Sequence, residues 1–334
     1  MSFRLADKWV WDFWFIQDRG ERHMFYLQAP RSLGDPSLRH HHATIGHAVS
    51  DDYRNWTVLA DAVHPGPAGT WDDLATWTGS GIGHEGQWYM LYTGVGRADQ
   101  GLVQRIGLAF SDDLVNWHKY RGNPVIEADP RWYEVLGQGR WRDQSWRDPW
   151  LFFCAEDGRF HVLLTARSPS AAPDASGVVG HARSRDLLEW EVLPPVTEPG
   201  EFAQVEVPQL VQAENDYLIL FSCHSEDHSR TRVERLGPPA RGGTFAMRAE
   251  SLKGPWVPSG SPIATSADGK PGNPYAGKMV KDNGGNWLFI AFHGDDDQSF
   301  SGELVGPYPV EWAPDGTFVV EVSRGGGDAS ITSQ

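Results

Sequence analysis

Three carboxylic acids interrupt otherwise aromatic or apolar stretches of the chain. Asp12 lies in KWVWDFWFIQD, Asp148 in SWRDPWLFF and Glu206 in AQVEVPQLV. Buried strands avoid charge unless it is paired or used. Pro149 and Pro208 place the last two acids near strand entrances, because proline removes a donor from the sheet ladder. Clustered carboxylates among aromatic side chains are typical of glycoside hydrolysis, in which one acid protonates the leaving oxygen and another attacks the anomeric carbon or activates water.

Arg147 directly precedes Asp148. A guanidinium beside a carboxylate keeps it ionised and offers a fork of donors to vicinal hydroxyl groups. A third carboxylate near a cationic transition state would stabilise the positive charge and raise the pKa of its neighbour. Each acid taken alone could equally be a turn cap or an ion-pair partner. Three such acids in one repeated architecture favour a site.

The elements that must position these acids are repeated along the chain. A small residue, an acidic or polar pair, a leucine or aromatic residue and then tryptophan recur as SDDYRNW, SDDLVNW, SRDLLEW and, in degenerate form, AESLKGPW. Such acidic pairs suit local turns in which the side chain bonds to the backbone. We therefore assign no catalytic role to their aspartates, which are Asp51, Asp52, Asp112, Asp113 and Asp186.

Five short apolar strands lie between these repeats, each after a turn rich in Gly, Asp or Asn. They are RHMFYLQ, QWYMLYTG, RFHVLLTA, DYLILFSC and NWLFIAFHG. Turns of this kind between apolar runs are hairpin signals, and helical periodicity is hard to find. Repeated units of about four strands predict an all-β, five-bladed β-propeller, because a sandwich would not need a repeat of this length. We expect one catalytic domain over residues 1–322 and a frayed, Gly/Ser-rich tail over 323–334.

The ordered motifs of the chain resemble those of glycoside hydrolase family 32. They are WVWDFWF, FYLQ, GHAVSDDYRNW, WTGSG, LYTG, IGLAFSDDLVNWHKYRGNPVI, WRDPW and VEVPQL. This family shares a five-bladed propeller with families 68, 43 and 62. The resemblance implies that Asp12 is the nucleophile, Glu206 the general acid/base and Asp148 the aspartate that stabilises the transition state. The residues that it implies around the substrate are Arg147, Gln28, Trp77 and Ser80.

The chain also departs from the family pattern. Trp11-Asp12-Phe13-Trp14 replaces Asn-Asp-Pro-Asn, so Trp11 stands where the family has a sugar-contacting asparagine. Val207 follows Glu206 in place of cysteine, which is also similar to the Glu-Gly-Pro of family 43. The chain ends soon after the fifth predicted blade, where family members carry a β-sandwich.

We expect a retaining hydrolase of β-linked fructofuranosides, such as sucrose or fructo-oligosaccharides. A fructosyl transferase stays open, because water access is hidden in the sequence. An inverting family-43-like furanosidase or pentosidase also stays open, with Asp12 as a base that holds water. The non-enzyme alternative is a carbohydrate-binding propeller.

The overall composition favours a small, neutral or cationic ligand. The formal net charge of −15 argues against nucleic acid or an anionic membrane as a partner. The 16 tryptophans serve cores and also form platforms for sugar rings. No apolar run reaches the length of a membrane span, and MSFRLADK lacks the pattern of a secretory signal. We therefore expect a cytoplasmic location.

No cofactor or metal is predicted. The histidines of RHHHATIGH lack a clear zinc ligand set, and this segment is interpreted as a polar loop in which His42 could contact substrate. Asp295, Asp296 and Asp297 lack the pattern of a known calcium loop and are interpreted as a solvated turn. Two cysteines are too few for a disulfide framework.

Overall fold

Successive groups of strands form separate, mostly antiparallel sheets in the computed structural model. It describes residues 2–138, 141–213, 216–266, 274–293, 300–313, 318–322 and 331–333. The strands are, in chain order, β1 (Ser2–Phe3), β2 (Lys8–Asp18), β3 (Glu21–Pro30), β4 (Thr44–Ser50), β5 (Trp56–Val58), β6 (Ala75–His84), β7 (Gln87–Val95), β8 (Gln104–Ser111), β9 (His118–Lys119), β10 (Trp146–Cys154), β11 (Arg159–Arg167), β12 (Gly177–Ser184), β13 (Trp190–Leu193), β14 (Glu206–Gln212), β15 (Tyr217–Cys223), β16 (Gly243–Ala249), β17 (Val257–Pro258), β18 (Ala264–Ser266), β19 (Pro274–Lys281), β20 (Trp287–His293), β21 (Leu304–Pro309), β22 (Glu311–Trp312), β23 (Phe318–Val322) and β24 (Ile331–Ser333). The helices are α1 (Arg230–Leu236) and the 3-10 turns Arg31–Leu33, Pro36–His42, Pro173–Ala175 and Ser225–Asp227.

These strands build five blades, which confirms the predicted five-bladed β-propeller. Blades 1 to 4 are β2–β5, β6–β9, β10–β13 and β14–β17, each in sequential order. Blade 5 contains β19, β20 and β21, and β1 from the start of the chain completes it as the outer strand. This pairing of Ser2 with Val305 and of Phe3 with Leu304 closes the ring. An additional small sheet has the order β18-β23-β22.

The acidic repeat carries the third strand of a blade into the fourth. In blade 1, Asp52 Oδ1 accepts hydrogen bonds from Arg54 N at 2.7 Å and Asn55 N at 2.8 Å. Asp113 and Asp186 accept the corresponding bonds in blades 2 and 3. These three aspartates are therefore turn caps, as the sequence predicts.

The hydrophobic core lies mostly between neighbouring blades. One cluster joins Leu91 and Ile106 of blade 2 to Trp146 and Leu164 of blade 3, and all four are completely buried. Burial of each such side chain contributes roughly 1.5–3 kcal/mol. The interblade packing thus fixes the spacing of the inner strands β2, β6, β10, β14 and β19, which lie nearest the propeller axis.

The end of the chain is described only in part. Ile331–Ser333, within the predicted frayed tail, pairs in parallel with Trp56–Val58 of blade 1. The predictions for 323–330 and for the acidic turn at Asp295–Asp297 fall outside the described residues. Within the described ranges, no helix is long and apolar enough to cross a membrane.

Candidate active site

Each inner strand has a register irregularity near its beginning. The irregularities fall between Trp11 and Phe13, Trp77 and Gly79, Arg147 and Trp150, Glu206 and Gln209, and Tyr275 and Lys278. Bulges of this kind re-aim side chains and are common next to active sites. Asp148, Val207 and Ala276 adopt positive φ angles of 58°, 52° and 50° at three of them. Such angles are uncommon outside glycine and cluster at functional sites.

Hydroxyl groups from the preceding blade hold these positive-φ residues in place. The bonds join Asp148 N to Thr93 Oγ1 at 3.0 Å, Val207 N to Thr165 Oγ1 at 3.2 Å, and Ala276 N to Ser222 Oγ at 2.8 Å. All six residues lie near the beginnings of inner strands or the ends of second strands. The strained backbone is thus stabilised by hydrogen bonds that form only when each blade packs against the one before it.

Asp12 is the carboxylic acid of blade 1. Its Oδ2 accepts a hydrogen bond from Thr78 Oγ1 of blade 2 at 2.9 Å. Burial and the negative charges of Asp148 and Glu206 raise the pKa of Asp12 to about 7, although Thr78 and Lys278 act in the opposite direction. Asp12 is therefore the acid of this group that most readily holds a proton.

Asp148 is buried, with 4% of its surface exposed. Its Oδ2 accepts hydrogen bonds from Thr165 Oγ1 at 2.7 Å and Val207 N at 3.2 Å, and it lies 3.5 Å from Arg147 Nε. Burial raises its pKa, and the charge of Arg147 offsets part of that effect. The three donors fix the orientation of this carboxyl, as a charge-stabilising group requires.

Both carboxyl oxygens of Glu206 contact donors. Arg147 Nη2 lies 2.5 Å from Oε1, the Tyr275 hydroxyl donates to Oε2, and His224 Nε2 lies 4.0 Å from Oε2. Burial by itself would raise the pKa of Glu206, but Arg147, His224 and Tyr275 outweigh it and lower this pKa to about 2. Glu206 is the most acidic of the three carboxyls.

Lys278 is a second buried cation near the carboxylates, and sequence reasoning missed it. Only 2% of its surface is exposed, and its Nζ donates to the Val207 carbonyl oxygen at 2.8 Å. Burial lowers its pKa to about 8, while the charges of Asp12 and Asp148 favour its protonated form. Lys278 and Tyr275 occupy PYAGKMVK, which opens the fifth inner strand. A search of strand entrances for all polar residues, instead of carboxylates alone, would have found both.

The charges of the site favour one shared proton. Asp12, Asp148 and Glu206 supply three negative charges when all are ionised, whereas Arg147 and Lys278 supply two positive charges. One proton bound to any of the three carboxyl groups makes the cluster neutral, and like charges at short range oppose the ionisation of all three. One protonated and one ionised carboxyl are what a glycosidase needs.

The predicted substrate-binding residues lie in different surroundings. Arg147 contacts both Asp148 and Glu206 and is thereby joined to the carboxylates. Gln28 is buried and donates to Thr44 Oγ1 at 3.2 Å. Ser80 is also buried, and its Oγ accepts a bond from Leu151 N at 2.8 Å. The Ser80 bond links blades 2 and 3, so this hydroxyl has a structural partner.

The 3-10 turn Pro36–His42 brings histidines to the predicted aromatic residues. Trp77 Nε1 donates to the His40 carbonyl oxygen at 2.6 Å, and the His40 ring centre lies 6.0 Å from that of Trp11 and 6.2 Å from that of Trp77. His42 is exposed, and its Nδ1 lies 3.0 Å from the Leu38 carbonyl oxygen. His40 is thus the histidine packed against these tryptophans, and no sequence signal separates the two.

A group of possible metal ligands lies elsewhere, at the hairpin that follows β10. Ligand atoms of Cys154, Asp157 and His161 all lie within 4.8 Å of one another. His161 Nε2 is 3.0 Å from Asp157 Oδ2, and its Nδ1 is 2.8 Å from His181 Nε2. Cys154 ends the strand whose beginning carries Asp148, so this group is separate from the carboxylates.

Known proteins are similar to this chain in sequence and in fold. The model of the glycosyl hydrolases family 32 N-terminal domain matches residues 13–302, beginning directly after Asp12. An extracellular sucrase of Zymomonas mobilis subsp. mobilis is 26% identical over 298 residues, which are 75% of this chain and 69% of that protein. A cell wall β-fructofuranosidase of Pisum sativum is 28% identical over 51% of this chain and 28% of that protein. The structure of inulosucrase from Halalkalicoccus jeotgali bound to kestose has a TM-score of 0.76 at 23% identity and covers 97% of this chain and 92% of that one.

Proposed function

The chain belongs to glycosyl hydrolases family 32, and we propose that it hydrolyses β-linked fructofuranosides, such as sucrose or short fructo-oligosaccharides, with retention of configuration. The observation that carries this proposal is the arrangement of Asp12, Asp148 and Glu206 near the beginnings of the inner strands of blades 1, 3 and 4, where their charges interact and Arg147 contacts the last two. The names of the sucrase and β-fructofuranosidase relatives support the substrate class.

In this mechanism the chain supplies a nucleophile and a proton donor. Asp12 attacks the anomeric carbon while Glu206 donates its proton to the leaving oxygen, so that one carbon–oxygen bond forms as the glycosidic bond breaks. Glu206 then takes a proton from water, which attacks the same carbon and releases Asp12 as a carboxylate. Asp148 stabilises the positive charge that develops at both steps.

The proton must change position before the first step. It is held most readily by Asp12, because Arg147 keeps Glu206 ionised. Sugar hydroxyl groups that accept hydrogen bonds from Arg147 would weaken its hold on Glu206. The pKa of Glu206 then rises, and the proton moves from the nucleophile to the acid.

The value of kcat/KM is expected to fall as pH rises through about 7, because the site then loses its last proton, the one held on Asp12. Thr78→Val removes a bond that lowers the pKa of Asp12. This falling limb should therefore move to higher pH. The plateau rate should decrease, because Glu206 carries the shared proton in a smaller fraction of the molecules. Initial rates on sucrose across pH measure both effects, and a rate that rises through pH 7 contradicts the scheme.

Product analysis tests the proposed function directly. Sucrose, inulin-type and levan-type oligosaccharides and aryl arabinofuranosides are each incubated with the protein, and proton NMR records the anomer released first. We expect fructose to appear first as the β-furanose. An inverted anomer, or turnover of arabinofuranosides alone, would support the family-43-like alternative. Fructosyl oligosaccharides among the products would indicate a transferase. Binding without turnover would indicate a sugar-binding propeller.

The location of the protein is a separate question. The sequence predicts the cytoplasm, whereas the Zymomonas mobilis relative is named an extracellular sucrase. We keep the cytoplasm as a proposal, and sucrase activity in fractionated source cells tests it.

A further inference from the structure

Two buried glutamines from different blades hold the Arg147 guanidinium. Gln104 begins β8 in blade 2, and its Oε1 accepts hydrogen bonds from Arg147 Nη1 and from Trp146 N, both at 3.0 Å. Gln204 precedes β14 in blade 4, and its Oε1 accepts a bond from Arg147 Nη2 at 3.3 Å. The glutamines are 1% and 2% exposed. Their acceptor atoms therefore face Arg147 inside the protein, not solvent.

We propose that Gln104 and Gln204 are positioning residues, which share the donors of Arg147 with Glu206 and so weaken the hold of Arg147 on that carboxylate, so that Glu206 can take up the catalytic proton. This inference rests on the proposed function. Arg147 Nη2 already lies 2.5 Å from Glu206 Oε1, and an ion pair of this kind favours the ionised acid. Amide oxygens are neutral acceptors that do not titrate. They hold the guanidinium equally well when Glu206 is ionised and when it is protonated.

Neighbouring hydrogen bonds keep Gln204 and the segment before β10 in position. Gln204 Nε2 donates to Ser145 Oγ at 3.1 Å, and Ser145 Oγ donates to Asp143 Oδ1 at 3.1 Å. Gln144 N donates to the Leu102 carbonyl oxygen at 2.8 Å, beside the start of the strand that carries Gln104. The segment before β10 is thereby tied to blades 2 and 4, and Arg147 is anchored from both sides.

The test compares two substrates that differ in their need for acid catalysis. Sucrose requires protonation of its leaving oxygen, whereas a nitrophenyl β-fructofuranoside releases a stable phenolate. In Gln104→Leu, Arg147 Nη1 loses its acceptor and Glu206 becomes more acidic. We expect kcat on sucrose to fall about 10- to 100-fold and kcat on the aryl substrate to fall no more than about 3-fold. Gln204→Leu should change the ratio in the same direction, and less, because its bond is longer.

Two further variants separate positioning from a loss of structure. Gln104→Glu keeps acceptors for Arg147 and Trp146 and adds a negative charge that competes with Glu206 for Arg147, so the sucrose-to-aryl ratio should stay at or above the wild-type value. Gln209 is the matched control, because it is also buried and bridges blades 4 and 5 through two bonds of 2.8 Å to the Met279 backbone. Gln209→Leu should lower Tm and leave the ratio unchanged.

The outcomes distinguish this inference from the proposed function. If the wild-type protein is active and both Gln104→Leu and Gln204→Leu lower the rates on the two substrates in parallel, the positioning role alone is overturned. A Gln209→Leu ratio that changes as much as the Gln104→Leu ratio would do the same. A wild-type protein that turns over neither substrate would overturn the proposed function and this inference together.

Discussion

Asp12→Asn is expected to lower kcat on sucrose by roughly 10⁴-fold or more, because an amide cannot replace the carboxylate that attacks the anomeric carbon. Asparagine has nearly the same shape, and it can still accept the hydrogen bond that Thr78 donates at 2.9 Å. The variant also removes the negative charge or the proton that Asp12 contributes to the cluster. A loss of this size therefore reports chemistry and not misfolding, and Tm should stay close to the wild-type value.

Asp72→Asn is a matched control for that variant. Asp72 is 2% exposed, and its Oδ2 lies 2.5 Å from Lys119 Nζ and 2.9 Å from the Tyr92 hydroxyl. It is thus a buried aspartate paired with a cation in the same fold, outside the carboxylate cluster. We expect Asp72→Asn to lower the free energy of unfolding and to keep kcat within a few-fold of wild type. Equal losses in the two variants, or near-normal turnover by Asp12→Asn, would contradict the role of Asp12 as nucleophile.

The fold could be predicted from the sequence because the blade repeat is written into local patterns. The turn that Asp52 or Asp113 caps depends on bonds within a few residues, so its sequence signal survives in each copy. The closing of blade 5 by Ser2–Phe3 depends instead on pairing with Leu304 and Val305. Two residues at the start of the chain carry no signal for such a distant partner.

The site was predictable where a charge stood out against apolar neighbours. Asp12, Asp148 and Glu206 met that condition, and the structure brings their charges close enough to shift the pKa of Asp12. Tyr275 and Lys278 did not meet it, because a tyrosine and a lysine near a strand entrance are ordinary in sequence. Their role becomes visible only when the fifth inner strand lies beside the fourth.

For other residues near the carboxylates, the sequence contains no signal that separates them from their neighbours. His40 packs against Trp11 and Trp77, whereas the ring of His42, two residues later, contacts the Leu38 carbonyl oxygen of the same 3-10 turn. Gln104 and Gln204 are neutral, and they lie far apart in sequence on either side of Arg147. Their convergence follows from the packing of blades 2 and 4 on either side of blade 3, which no local pattern encodes.

The second large effect concerns Glu206. Glu206→Gln should lower kcat on sucrose by roughly 10²- to 10⁴-fold, because the amide cannot donate a proton to the leaving oxygen. On a nitrophenyl β-fructofuranoside, the rate of the first step, which forms the fructosyl-enzyme, should fall much less, since the leaving group needs little protonation. Glu134→Gln is the matched control, because Glu134 is also a buried glutamate, 3.4 Å from Arg167 Nε and outside the site. That variant should reduce stability and leave the ratio of the two rates unchanged.

Azide identifies the second function of Glu206, as the base that activates water. Glu206→Ala leaves space beside the fructosyl-enzyme and no group to deprotonate water, so the covalent intermediate should accumulate with the aryl substrate. Azide needs no base. It can attack the anomeric carbon as the bond to Asp12 breaks, and the product should be the β-fructosyl azide. Its retained configuration requires two displacements, the first of them by Asp12. An α-fructosyl azide would contradict the assignment of Asp12 as nucleophile and Glu206 as acid/base, because the β product requires a covalent intermediate on the opposite face of the sugar. Full activity of Glu206→Ala without any effect of azide would contradict it as well.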